Sequence, residues 1–168
     1  ILSSLWLRPA TAISVCALGA ALFAADKITE ISIGQPKDLF PESITSLKDG
    51  CSPQGQCGCC TVWVDGQPRV ACVTPVARVA GRAVTTLEGV PEVAQEWGDR
   101  LYEVGGSQCG FCTPGIVMTA LDLLARNPRP DEAEVREALA GNYCRCTGYV
   151  KPVEAILAAA AEMREAPE

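Results

Sequence analysis

Histidine is absent from all 168 residues. That excludes a Ser-His-Asp or Cys-His nucleophile. It also excludes a Rieske centre, a His-ligated haem and a Cys₂His₂ zinc finger. Positive charge is scarce too: 14 Lys and Arg stand against 20 Asp and Glu, for a net charge of -6. Such a chain offers no basic surface to nucleic acid. Nor is there a long hydrophobic run. Residues 10–25, "ATAISVCALGAALFAA", carry no charge, but a spanning helix needs about 20 apolar residues. With Arg8 before it and small residues after it, the run reads as the apolar part of a targeting signal, a buried helix or an N-terminal arm. No integral membrane segment is expected.

What the chain does have is sulfur. It carries ten cysteines, and four of them fall within "CSPQGQCGCC" at 51–60. With 48% apolar residues, it is built for a packed globular state. Its length allows one ordinary domain or two small ones.

Patterning divides the chain near residue 89. "KITEISIGQP" (27–36) reads as a strand entering a turn. "TVWVDGQPRVAC" (61–72) predicts a hairpin about Asp65-Gly66, and "AVTTLEG" (83–89) a further strand. Helical signals follow. Pro91 suits a first turn, and Ala94, Trp97 and Leu101 share a face. Thr113 is placed to cap a helix that has Pro114 at its first position and stops before Asn127-Pro128. Asp131 with Glu134 forms a capping-box pattern, and Gly141 falls where a C-terminal glycine is expected. Pro152 opens a last helix with Val153, Ile156, Leu157 and Ala160 on one stripe. "PDEAEVRE" predicts a solvated helix face. Trp63 and Trp97 are expected to pack in the core or an interface.

The cysteines form two sets. Cys51, Cys57, Cys60 and Cys72 follow C-x5-C-x2-C-x11-C, one residue away from the plant-type [2Fe-2S] pattern of C-x4-C-x2-C and a distant fourth cysteine. Three thiolates around one small cluster require a tightly curled loop, which Gly55 and Gly58 permit. Glycines also let amide N–H groups approach the sulfurs. Cys109, Cys112, Cys144 and Cys146 follow C-x2-C-x31-C-x1-C. Both of these pairs lie beside expected helix starts, where N–H groups and the dipole favour an anionic group. Disulfides and a Cys₄ zinc site are the alternatives. Adjacent Cys59-Cys60 and the C-x1-C pair suit neither well. Cys59 and Cys16 are left over as small hydrophobes. Tyr143 and Tyr149 either shield a cluster or simply pack.

"QCGFCTPGIVMTALDLLARNP" followed by "ALAGNYCRCTGYVKPVEAI" resembles the iron–sulfur subunit of the molybdenum hydroxylases, the family of xanthine dehydrogenase, aldehyde oxidoreductase and aerobic carbon monoxide dehydrogenase. The resemblance covers residues 48 to about 160. It implies an α+β chain, with a plant-ferredoxin-like β-grasp domain over 27–89 and a four-helix bundle over 90–168, after an atypical segment 1–26. Only fourteen residues separate Pro36 from Cys51, so the expected sheet is truncated or remodelled. The implied cofactors are two [2Fe-2S] clusters on this chain, with molybdopterin and FAD on partner subunits. The implied partners are a large molybdopterin-binding subunit and a medium FAD-binding subunit, with no nucleic acid. The set of Cys109, Cys112, Cys144 and Cys146 would lie nearer molybdopterin, approached by Gln108 and Cys146. The set of Cys51, Cys57, Cys60 and Cys72 would face the flavin. The implied role is electron transfer in a multi-subunit oxidoreductase, with no catalytic residue on this chain. The expected location is the cytoplasm, with or without membrane association through partners. A free-standing ferredoxin-like carrier and an iron- or redox-sensing module are the rival functions.

Two Cys₄ sets predict about four irons and four acid-labile sulfides per chain. Metal analysis and a sulfide assay check this; stoichiometric zinc without iron would overturn it.

Overall fold

The computed structural model describes residues 45–165. The expected strand at 27–36, the uncharged run 10–25 and Cys16 lie outside the described residues.

The sheet is built around one short hairpin. Strands β1 (Thr61–Val64) and β2 (Gln67–Val70) pair antiparallel, with Thr61 opposite Val70 and Val64 opposite Gln67. Asp65 and Gly66 take φ of +50° and +74°, the left-handed pair that a two-residue hairpin turn demands. The Asp65 carboxylate also accepts from the Ala83 N–H at 2.9 Å and from Arg82 Nε at 2.6 Å. Those bonds bring β3 (Val84–Thr85) to the other edge of β1, giving the order β2-β1-β3. The strand expected over 83–89 is therefore only two residues long. Leu87–Gly89 turns into a 3₁₀ segment instead, just ahead of the helix that begins at Pro91.

Four helices follow: α1 (Pro91–Glu103), α2 (Thr113–Arg126), α3 (Glu132–Ala138) and α4 (Val150–Glu165). The architecture is mixed α+β. The inward stripe of α1 is Val93, Trp97 and Leu101; the expected Ala94 is only half-buried. The α2 helix buries Ile116, Val117, Met118, Ala120, Leu123 and Leu124. The α4 helix adds Val153, Ile156 and Ala160 to the same core. Every residue of β1 is buried, because α2 covers it. Trp63 Nε1 donates to Met118 O at 3.1 Å, so the indole packs in the core and its one polar atom is satisfied. Arg100 clamps Glu162 through two bonds of 2.8 and 2.7 Å, joining α1 to α4.

Helix ends depart from expectation in two places. Thr113 is the first residue of α2 and gives no cap bond. Its hydroxyl lies 3.0 Å from Ser107 Oγ instead. Asp131 and Glu134 do form the capping box, but α3 ends at Ala138, and Gly141 closes the 3₁₀ turn Leu139–Gly141. The acidic face of α3 is exposed apart from Val135.

Two contacts tie together segments far apart along the chain, and the second of them joins the hairpin half to the helical half. Glu88 accepts from Thr45 N, Ser46 N and Ser46 Oγ, each at 2.7 Å. Burial works against the charge, but these bonds hold its carboxyl down at about 2. The second contact is backbone against backbone. A Cβ on Gly115 would collide with Gly58 O, and one on Gly58 would collide with Gly141 O. Gly115→Ala is expected to cost about 1–3 kcal/mol by overpacking. Gly98, inside α1 with open space around it, should instead gain about 0.5–1 kcal/mol on Gly98→Ala. Thermal midpoints of the two variants, moving in opposite directions, check this.

Candidate metal centres

The described cysteines are all free thiols; eight of them meet in twos, and the ninth, Cys59, also lies beside Cys57. The Cys51 side chain neighbours that of Cys57, and Cys72 neighbours Cys60, whose sulfur accepts the Cys72 N–H at 3.5 Å. In the second set Cys112 neighbours Cys144, and the Cys109 and Cys146 sulfurs lie 3.6 Å apart. A disulfide needs about 2.05 Å. Two thiolates on one tetrahedral metal, with bonds of about 2.3 Å, lie about 3.8 Å apart. The separation thus suits a shared metal and not a bridge. Among the described residues no three His, Cys, Asp or Glu side chains converge as one metal ion requires. Two pairs per site, each pair for its own iron, is the donor set of a binuclear cluster. The residues present fit that group.

Local structure presents each thiol. The first loop turns at Gly55, where φ is +72°, and this brings the Gly55 N–H onto Cys72. Cys51 receives the N–H groups of Gln54, Gln56 and Cys57, which hold its thiol down at about 6. Burial has the opposite effect on Cys72, pushing it up to about 11. Gly58 also has a positive φ, +65°, but the requirement there is the close approach of other backbone. Cys112 and Cys144 flank the starts of α2 and α4. Burial pushes Cys112 up to about 12. Burial also raises Cys144, but the Thr147 hydroxyl and the N–H groups of Thr147 and Cys146 outweigh it, and its thiol is lowered. Cys146 is raised, first by its bond with Cys109.

The two sets are joined directly. Tyr143 N donates to Cys57 O at 2.9 Å, and Asn142 Nδ2 donates to Gly58 O at 3.2 Å. Buried Asn142 carried no sequence signal beyond its place beside "YCRC". A cavity of about 600 Å³ lies between the sets, walled by Cys57, Cys59, Cys112, Cys144 and Tyr149 among others. Another hollow, of about 440 Å³ beside Ser46, Glu88 and Gln95, has no thiol in its wall. Cys59 is 3% exposed. Its thiol lies 3.6 Å from Cys57 O, and burial pushes it up to about 12. Tyr143 is exposed, whereas the Tyr149 hydroxyl bonds Cys144 N and Asn142 O, each at 2.9 Å. Gln108, Cys109 and Cys146 are exposed together.

Residues 86–157 match the [2Fe-2S] binding domain family. The chain is 43% identical over 121 residues to the nicotinate dehydrogenase small FeS subunit of Eubacterium barkeri, covering 68% of this chain and 74% of that one. The chain belongs to the iron–sulfur subunits of the molybdenum hydroxylases. It is also 42% identical over 141 residues to aldehyde oxidase 1 of Cavia porcellus, covering 73% of this chain and 10% of that longer protein. Among solved structures, quinoline 2-oxidoreductase from Pseudomonas putida 86 matches with a TM-score of 0.67 and 37% identity, over 82% of this chain and 87% of that one. As an iron–sulfur subunit of this family, the chain has an electron-transfer role within an oxidoreductase. Membership disfavours the free-standing carrier, and the small-subunit relatives imply a larger catalytic partner. No helix among the described residues is long and apolar enough to cross a membrane.

The pairing of Cys60 with Cys72 predicts that Cys60→Ala loses the iron of its loop. Cys59→Ala should keep full iron, since alanine replaces a small buried hydrophobe there. Iron counts on the two purified variants check this; the reverse pattern would exchange the two roles.

Proposed function

We propose that this chain binds two [2Fe-2S] clusters and relays electrons from a molybdopterin centre on a large partner subunit towards FAD on a medium one. Cys51, Cys57, Cys60 and Cys72 hold one cluster; Cys109, Cys112, Cys144 and Cys146 hold the other. The observation that carries the reading is the meeting of eight thiols in four pairs at two places. When bound, each cluster accepts and releases one electron at a time.

The chain's own residues do the positioning. Amide N–H groups at Cys51 and at the loop before α4 favour anionic sulfur. The bond from Tyr143 N to Cys57 O links the backbone beside one set to the backbone beside the other. The close approach of Gly58, Gly115 and Gly141 keeps that link short. Exposed Gln108, Cys109 and Cys146 form the face we assign to molybdopterin. Gln108 has an amide able both to donate and to accept there. Half-buried Cys51 and Cys72 lie on the side we assign to the flavin. In this reading residues 27–89 form a ferredoxin-like β-grasp domain and 90–168 a four-helix bundle, after the separate segment 1–26. The β2-β1-β3 sheet is the described portion of the former.

The series order predicts separable losses. Cys112→Ser should interrupt electron entry from the molybdenum side. Cys57→Ser should spare that first step and block flavin reduction. Rapid-mixing spectra of the two complexes test this. Normal flavin reduction in a Cys57→Ser complex that has lost one cluster would refute the order.

A further inference from the structure

Thr147 stands in the turn between Cys146 and α4, and its hydroxyl makes two contacts. Oγ1 lies 3.1 Å from Cys144 Sγ and accepts the Tyr149 N–H at 3.2 Å. Between a neutral thiol and a hydroxyl the first bond could run either way. A hydroxyl that accepts an amide proton still has its own O–H to give. A thiolate ligand has no proton, so the bond can run only from Thr147 to sulfur. Tyr149 is itself held in place. Its φ of +67° is a left-handed value that bulky side chains resist. Its own hydroxyl bonds Cys144 N and Asn142 O. Cys144, Thr147 and Tyr149 thus close a ring of hydrogen bonds, and the O–H cannot turn elsewhere without breaking it.

We infer that Thr147 is a positioning residue that raises the reduction potential of the cluster at the second set, through an O–H···S bond to Cys144. This rests on the reading of Cys144 as a ligand. The physical reason is charge. Reduction adds negative charge to the cluster and its thiolates, and a donor aimed at a sulfur favours the more negative state. Without the bond, the second set becomes a poorer electron acceptor relative to the first.

The test is a potentiometric titration of the whole complex, followed by paramagnetic resonance of the reduced clusters. At a poise where the second cluster of the parent protein is half reduced, Thr147→Val should lower its reduced-to-oxidised ratio about tenfold, a shift of about 59 mV for one electron. Thr147→Ser restores the hydroxyl and should titrate with the parent. Iron content and the first cluster's potential should not move in either. An unchanged second potential in iron-replete Thr147→Val overturns the inference. Should the valine variant lose iron, Thr147→Ala is read in the same way. Loss of iron from both overturns it too, since the hydroxyl then serves the fold. Full iron with an unaltered spectrum in Cys144→Ser would instead overturn the ligand reading.

Discussion

The contact on which the rest depends is the approach of three glycine backbones: Gly58 in the first cysteine loop, Gly115 in the first turn of α2, and Gly141 before the second cysteine pair. A side chain on Gly58 or Gly115 would hold the segments apart. With none there, Asn142 and Tyr143 reach the carbonyls of Gly58 and Cys57. One short stretch, 142–144, therefore touches the first loop at one end and supplies a second-set cysteine at the other. Hairpin, helices and both thiol sets are registered against each other through it. The Trp63 bond to Met118 O joins the same hairpin to α2.

The sulfurs sit in graded surroundings. Cys51 and Cys144 face N–H or O–H donors, which favour thiolate. Cys59 and Cys112 are wrapped in apolar core, which disfavours it. Oxidised and reduced clusters differ by one negative charge, so donors and burial are what a protein can use to set potential. Exposure is graded as well: Cys109 and Cys146 are open and Cys57 and Cys112 are buried. For an electron-transfer subunit this is a useful arrangement. The open thiols meet what lies outside, and the buried ones face the junction inside.

Much of the fold was legible because it follows local rules. The Asp65-Gly66 turn, the 91–103 and 113–126 helices and the Asp131–Glu134 box depend on nearby residues alone. The errors arose where distant contacts decide. The β-prone run 83–86 pairs over only Val84–Thr85, and Leu87–Gly89, with a glycine at its end, forms a 3₁₀ turn before α1. Thr113 is an N-cap type, yet Ser107 takes its hydroxyl and Cys112 occupies the cap position. Gly141 stands where a helix stop is expected, whereas its neighbourhood with Gly58 comes from packing.

The sequence by itself determined the chemistry. No histidine and two sets of cysteines at cluster spacing leave little else for the sulfurs to hold, because spacing limits which thiolates can surround one small group. Only the tertiary structure decided which thiol meets which, that Cys60 and not Cys59 meets Cys72, and that the Thr147 hydroxyl lies beside the Cys144 sulfur. Those relations depend on separations of a few ångströms between segments far apart along the chain. Cys57 and Tyr143 stand on opposite sides of the hairpin and three helices, and nothing in their local sequence says that one hydrogen bond joins them.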